Sequence, residues 1–224
     1  MSSLTEFQTL LIYGGSFDPP HRGHVALPAA AARAVGADAV VYVPAGRAPH
    51  KLDRQQTDPR HRLAMLKIAL AEADAASEAA GQPGGGVAWR ILEDEVDRAA
   101  DGRPSYTVDT LARLRPRFSQ TARMRLLIGM DQVAIFETWK DWQRVAELAE
   151  PAVMRRPGEA EVSSLSPVWR ARVVDVPEME ISSSDVRRRI AAGQPVADPV
   201  GPGVAGYIAE HGLYENSNRA AGQR

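Results

Sequence analysis

The chain has 224 residues, of which 44% are hydrophobic and 25% charged, with a formal net charge of −1. This is the make-up of a globular protein long enough to bury a sizeable core, and it gives no reason to expect a nucleic-acid or membrane partner. The sequence holds no cysteine, which excludes disulfides and thiolate metal sites. No apolar run approaches membrane-spanning length, and Met1 to Gln8 shows no basic start followed by an apolar stretch, so a cytoplasmic location is expected.

The apolar run Leu10-Leu11-Ile12-Tyr13 predicts a first strand over 9–13. The run Gly14-Gly15-Ser16-Phe17-Asp18-Pro19-Pro20-His21-Arg22-Gly23-His24 then reads as a glycine-rich turn opening a helix over 24–35, with Pro28 near its first turn. A second strand over 39–43 stops at Pro44, and the polar segment 46–57, with Arg47, His50 and Lys51, is a candidate substrate-facing loop. A helix over 59–80 has Arg62, Lys67 and Glu72 on its wet side. It is broken by Gln82-Pro83-Gly84-Gly85-Gly86, read as a surface insertion because no Lys-Ser/Thr follows as a P-loop needs. A third strand over 87–92, a helix over 107–114 and a fourth strand over 124–128 follow. An aromatic-rich helix over 133–148, short strands over 152–154 and 173–176, and helices over 184–192 and 204–210 complete the pattern. Continuous apolar strands alternating with helices predict one doubly wound, Rossmann-like α/β domain with a mainly parallel sheet over residues 1–216, and 217–224 as a disordered tail.

Several clusters carry chemistry. Gly14 and Gly15 let the backbone approach a ligand, and His21 and His24, three apart, share one helix face. Free N–H groups at that helix start favour an anion, typically a phosphate, with two imidazoles beside it; the other reading is a common glycine-rich turn with surface or capping histidines. In Ile181-Ser182-Ser183-Ser184-Asp185-Val186-Arg187, serines precede a helix and Arg187 lies one turn inside, as an N-cap with solvated arginines or as an anion cradle. Gly129 and Asp131 follow the fourth strand, where the carboxylate suits a ribose hydroxyl or caps the next helix. Trp139 and Trp142 sit three apart, a spacing more common in cores than in ligand cages. Ser105 and Thr107 precede a helix and read first as caps.

In combination, GGSFDPPHRGH, ISSSDVR, GMD, WKDW and SYTVDTL resemble the signature of the bacterial nicotinate mononucleotide adenylyltransferases, within the nucleotidylyltransferase superfamily and its HxGH element. The resemblance spans from Tyr13 to the Gly206-Tyr207-Ile208 and His211-Gly212-Leu213-Tyr214 ending. Two departures stand out: Ser184 replaces the usual Thr, and Ala48 replaces the first Pro of PPHK. The resemblance implies adenylyl transfer from ATP to nicotinate mononucleotide, with His21, His24, Lys51 and Arg187 stabilising phosphate charge. It implies that Gly14, Gly15, Ser16, Phe17, Ser183 and Ser184 join them in binding ATP, with Gly129 and Asp131 at the ribose. Thr107 would hold the nicotinate carboxylate and Trp139 would stack on the pyridine, with His50 and Lys51 nearby and Trp142 in the core. Mg²⁺ would arrive with ATP on phosphate and water oxygens. Preference for the amidated mononucleotide stays open. Phosphopantetheine and cytidylyl transferases share HxGH but do not explain SYTVDT with WKDW, and a silent nucleotide-binding regulator is disfavoured by intact His21, His24 and Arg187.

Overall fold

β1 (Thr9–Gly15) runs between β2 (Ala39–Pro44) and β4 (Arg123–Gly129), at the centre of a six-stranded sheet. The coordinates are a computed structural model and describe residues 6–47, 56–81, 87–102, 104–155 and 165–215. β3 (Ala88–Ile91) borders β2, while β5 (Glu150–Met154) and β6 (Val173–Val174) extend the sheet beyond β4. Every pairing is parallel, in the order β3-β2-β1-β4-β5-β6. This is the Rossmann order, in which the chain reverses direction of travel between β1 and β4 and leaves a ligand crevice at their C-terminal ends.

Alternation along β1 divides the core. Leu10 and Ile12 join Val41, Leu126 and Leu111 on one face, and Leu11 and Tyr13 join Val40, Leu127, Leu66 and Leu70 on the other. A strand covered on both faces reads as an unbroken apolar run. Burying each such Leu or Ile is worth about 1.5–3 kcal/mol. α1 (Arg22–Ala34) and α2 (Pro59–Ala79) cover the second face, while α4 (Thr107–Leu114) and α6 (Trp142–Leu148) cover the first. A third cluster joins Met65 and Ala69 of α2 to α8 (Ser183–Ala191), α9 (Ala197–Val200) and α10 (Pro202–Glu210). Short helices α3 (Asp94–Asp97), α5 (Met130–Val133) and α7 (Pro167–Arg170) occupy the connections.

Some expectations are corrected. Both glycines of the presumed turn belong to β1, where Gly14 and Gly15 pair with Val43 and Pro44, so the turn starts at Ser16. α1 begins at Arg22 with His21 as N-cap, which places Pro28 inside the helix and not in its first turn. The aromatic helix over 133–148 does not form as one piece. Thr138 folds its hydroxyl back on to the Ile135 carbonyl at 2.7 Å, Trp139 is extended, and Asp141 is left-handed at φ 48° before α6 starts. Such local side-chain bonding competes with the helical ladder. Arg62 is not on a wet face but fully buried. The expectations for the glycine-rich break at 82–86 and the tail at 217–224 lie outside the described residues. Among the described residues no helix is long and apolar enough to cross a membrane.

Candidate active site

A cleft of about 620 Å³ opens at the C-terminal ends of β1 and β4, within the range of small-molecule sites. Its first end is built from the loop between β1 and α1. Gly15 has no room for a side chain, since a Cβ there would stand 2.9 Å from the Phe17 ring. Phe17 takes a left-handed backbone at φ 50°, and its buried ring meets Tyr13, Tyr42 and His24. His21 and His24 both line the cleft, stacked with centroids 3.7 Å apart and planes at 24°. The His21 backbone N–H donates to His24 Nδ1 at 3.2 Å. An Nδ1 that accepts carries no proton, so in the neutral ring the proton sits on Nε2.

The loop is held by side chains that lie far from it in sequence. Arg62 donates to the carbonyls of Ser16, Ala45, Gly46 and Thr57 at 2.6–3.2 Å. Burial lowers its pKa, while Asp18 acts in the opposite direction. A guanidinium presents its donors in a fixed planar fork, which suits several carbonyls converging from different segments. Arg187 Nη1 donates to the Asp18 carbonyl at 2.6 Å, Ser183 Oγ to the Pro19 carbonyl at 2.8 Å, and Arg187 Nη2 to Ser184 Oγ at 3.2 Å. Ser183, Ser184 and Arg187 all line the cleft. The N-cap of α8 is Ser182, whose Oγ accepts from the Asp185 N–H at 3.1 Å, so the two following hydroxyls are not used as that cap.

Beyond the phosphate-facing loops expected from the sequence, Gly129 ends β4 and serves as N-cap of α5, which excludes Asp131 from that role. Asp131 is exposed, lines the cleft, and accepts from Gln132 Nε2 at 2.7 Å. A Cβ on Gly129 would collide with Asp131 Oδ1.

The far end is formed by Thr107, the first residue of α4, and by Trp139. The N-cap of α4 is Tyr106, which makes no side-chain cap, so neither Ser105 nor Thr107 occupies the N-cap position. Trp139 is half-buried and rests on Phe136 at 5.2 Å, which Trp169 backs edge-on at 5.2 Å. Trp142 packs against the same cluster, as expected. Lys140 lines the cleft, pairs with Asp109 at 3.0 Å, and lies 4.7 Å over the Tyr106 ring. Glu95, buried in the cleft wall, accepts from the Thr110 hydroxyl at 2.6 Å, and burial raises its pKa.

Every predicted site residue within the described segments therefore lines one cleft. His50 and Lys51 lie outside those segments. Sequence reasoning missed Asp18, Glu95, Thr110, Lys140 and Ser182. Asp18 and Ser182 stand inside quoted motifs, whereas Glu95 belongs to no motif and has Glu93 and Asp94 as its neighbours.

Known proteins are similar to this chain over most of its length. The cytidylyltransferase-like family pattern matches residues 12–189. A protein of Thermomicrobium roseum described as "probable nicotinate-nucleotide adenylyltransferase" is 38% identical over 209 residues, covering 91% of this chain and 90% of its own. One of the same description from Chromobacterium violaceum is 34% identical, covering 91% and 97%. The nicotinic acid mononucleotide adenylyltransferase of Plasmodium falciparum, solved with NaAD, superposes with a TM-score of 0.68 at 17% identity, over 92% of this chain and 97% of that one. That last likeness concerns the fold. The chain belongs to the cytidylyltransferase-like family, among its nicotinate-nucleotide adenylyltransferases.

Proposed function

We propose that this member of the family transfers the adenylyl group of ATP to nicotinate mononucleotide, giving nicotinate adenine dinucleotide and pyrophosphate for NAD biosynthesis. The observation that carries the reading is a single cleft with paired imidazoles at one end and a helix start beside an aromatic ring at the other. A mononucleotide phosphate oxygen attacks the α-phosphorus of ATP, the bond from that phosphorus to the bridging oxygen breaks, and pyrophosphate leaves with the electron pair. The attacking phosphate is already anionic at neutral pH, so no general base is needed. Catalysis then consists of positioning and of stabilising charge that grows on the phosphate oxygens.

In this reading His24 Nε2–H and His21 donate to those oxygens, and Arg187 and Lys51 share the triphosphate charge. Gly14, Gly15, Ser16, Phe17, Ser183 and Ser184 shape the ATP site, and Asp131 beside Gly129 accepts from the ribose. The α4 start at Thr107 holds the nicotinate carboxylate by its backbone donors, Trp139 stacks on the pyridine, and His50 assists Lys51 in binding the mononucleotide. Among the described residues no group of three or more His, Cys, Asp or Glu could hold a metal ion. In this reading Mg²⁺ arrives as part of the ATP substrate, on phosphate oxygens. The unit doing this work is a nucleotidylyltransferase domain over residues 1–216, working in the cytoplasm where ATP is available, without nucleic-acid or membrane partners.

Turnover of ATP with the acid and amide mononucleotides, side by side, tests the reading. A carboxylate accepts from several N–H groups, whereas a carboxamide turns its own donor towards them. One buried mismatch costs about 1–3 kcal/mol, so the acid is expected to lead by roughly tenfold to a hundredfold in kcat/KM. Equal efficiency would overturn the assignment of the α4 end, and no turnover of either would overturn the function.

A further inference from the structure

The loop from Ser16 to Pro19 is tied down by side chains from outside it. Arg62 and Gln56 hold Ser16, Arg187 holds the Asp18 carbonyl, and Ser183 holds the Pro19 carbonyl. One further tether has no place in the proposed chemistry. Tyr214 OH donates to Asp18 Oδ1 at 2.7 Å, across 196 positions of sequence. Tyr214 does not line the cleft. It follows α10 in a left-handed conformation at φ 66° and packs with Leu213 against the cluster that includes Met65, Val204 and Ile208.

Asp18 makes this contact matter. It is only 7% exposed, lines the cleft, and stands three residues before His21. A carboxylate there has the same sign as the triphosphate the site is read to bind. Its other oxygen accepts from the Thr57 N–H at 3.4 Å, and buried Arg62 supplies an opposing charge. Burial, and next Asp18, raise the Tyr214 pKa, so the phenol remains a donor through neutral pH. The hydroxyl therefore fixes the direction of the Asp18 carboxylate and draws part of its charge away from the cleft. Arg187 grips the main chain of the same residue, so Asp18 is clamped by a substrate-facing group on one side and by the C-terminal turn on the other.

We propose that Tyr214 is a positioning residue for the ATP phosphates, acting through Asp18 on the loop that leads into His21. The proposal rests on the adenylyl-transfer reading for its substrate and predicts a defect confined to the nucleotide. Tyr214→Phe removes one oxygen and keeps the ring packed. In the folded variant the KM for ATP is expected to rise about tenfold, the size of losing one hydrogen bond to a charged acceptor, with the KM for the mononucleotide within twofold. Titration calorimetry with Mg·ATP alone should show the same loss of affinity. In an Asp18→Asn background, where the charge is already gone, the Phe substitution should cost clearly less than in the unmodified protein. Unchanged ATP affinity with only a lower melting temperature would overturn the proposal, as would equal losses for both substrates. An unmodified protein that binds Mg·ATP but does not turn over nicotinate mononucleotide would sink the function and leave this proposal to the binding measurement. A protein that does not bind Mg·ATP at all would overturn both.

Discussion

His24→Ala isolates the donor on which the proposed mechanism depends. The imidazole is 9% exposed, its Nδ1 is occupied by the His21 N–H at 3.2 Å, and its ring meets the edge of Phe17 at 5.1 Å. That leaves Nε2–H as the one donor the ring can offer, in surroundings poor in water. Removing a single such donor from a site of developing charge costs roughly 2.7–4 kcal/mol in the barrier, or about 10²–10³ in kcat. The charge appears during transfer, so the KM values should change little. The substitution also strips the acceptor from the His21 N–H, worth about 1–3 kcal/mol if that group stays dry, so a lower melting temperature is expected alongside. His24→Asn restores an oxygen near the Nδ1 position and should recover stability without rate. Steady-state pyrophosphate release at saturating substrates, with melting temperatures of each variant, separates the two effects. A kcat for His24→Ala within threefold of the unmodified enzyme would refute the assignment.

Asp131→Ala should raise the KM for ATP more than it lowers kcat, because a ribose contact is present before and during the reaction. Gly129 holds the cap position of α5, so the melting temperature should hardly move; a constant KM with a clear loss of stability would count against the ribose role. Glu95 gives a pH signature. Its pKa is raised above the ordinary 4.5 by burial, so the folded state binds the proton more readily than the unfolded chain. Its contribution is therefore most favourable below 4.5 and is lost as pH rises through its folded value. Urea unfolding from pH 4.5 upward should show a shallower decline in Glu95→Gln than in the unmodified protein, and parallel curves would reject the idea.

Much of the site was legible because its residues sit in short runs beside strand ends. β1, β2 and β4 carry unbroken apolar segments, and the glycines, histidines and aspartate at their C-terminal ends fall in the crevice by topology alone. The helix expected over 133–148 was not, because Phe136, Trp139, Trp142 and Val145 recur every three residues and imitate an amphipathic helix. The break lies in the backbone, where Thr138 bonds to Ile135 and Trp139 extends towards the cleft. Three consecutive serines are equally good caps on paper. Only the contact of Ser182 with Asp185 selects the first, and so releases Ser183 for Pro19. Arg62, expected on a wet face, and Glu95, which stands in no motif, escape the sequence for a common reason. Their partners are main-chain and hydroxyl groups of segments distant in sequence, and local spacing of charges carries no record of them.

The buried Arg62 couples the histidine end of the cleft to the fate of the whole molecule. Its donors converge on carbonyls from the β1–α1 loop, the exit of β2 and the approach to α2, so no one of these segments can detach without stranding a guanidinium away from water. Openings that expose the imidazole pair should then carry a free energy near that of global unfolding. The Thr107–Trp139 end is fastened differently: its Lys140–Asp109 pair is nearly half exposed on both sides and binds weakly in water. Amide exchange should therefore report two regimes within one cleft, a slow cooperative one around Ser16 and Ala45 and a faster local one around Thr107 and Trp139. A ligand bridging both ends would bind the rigid histidine end first in the energetic sense, and bring its ordering effect to bear on the aromatic end.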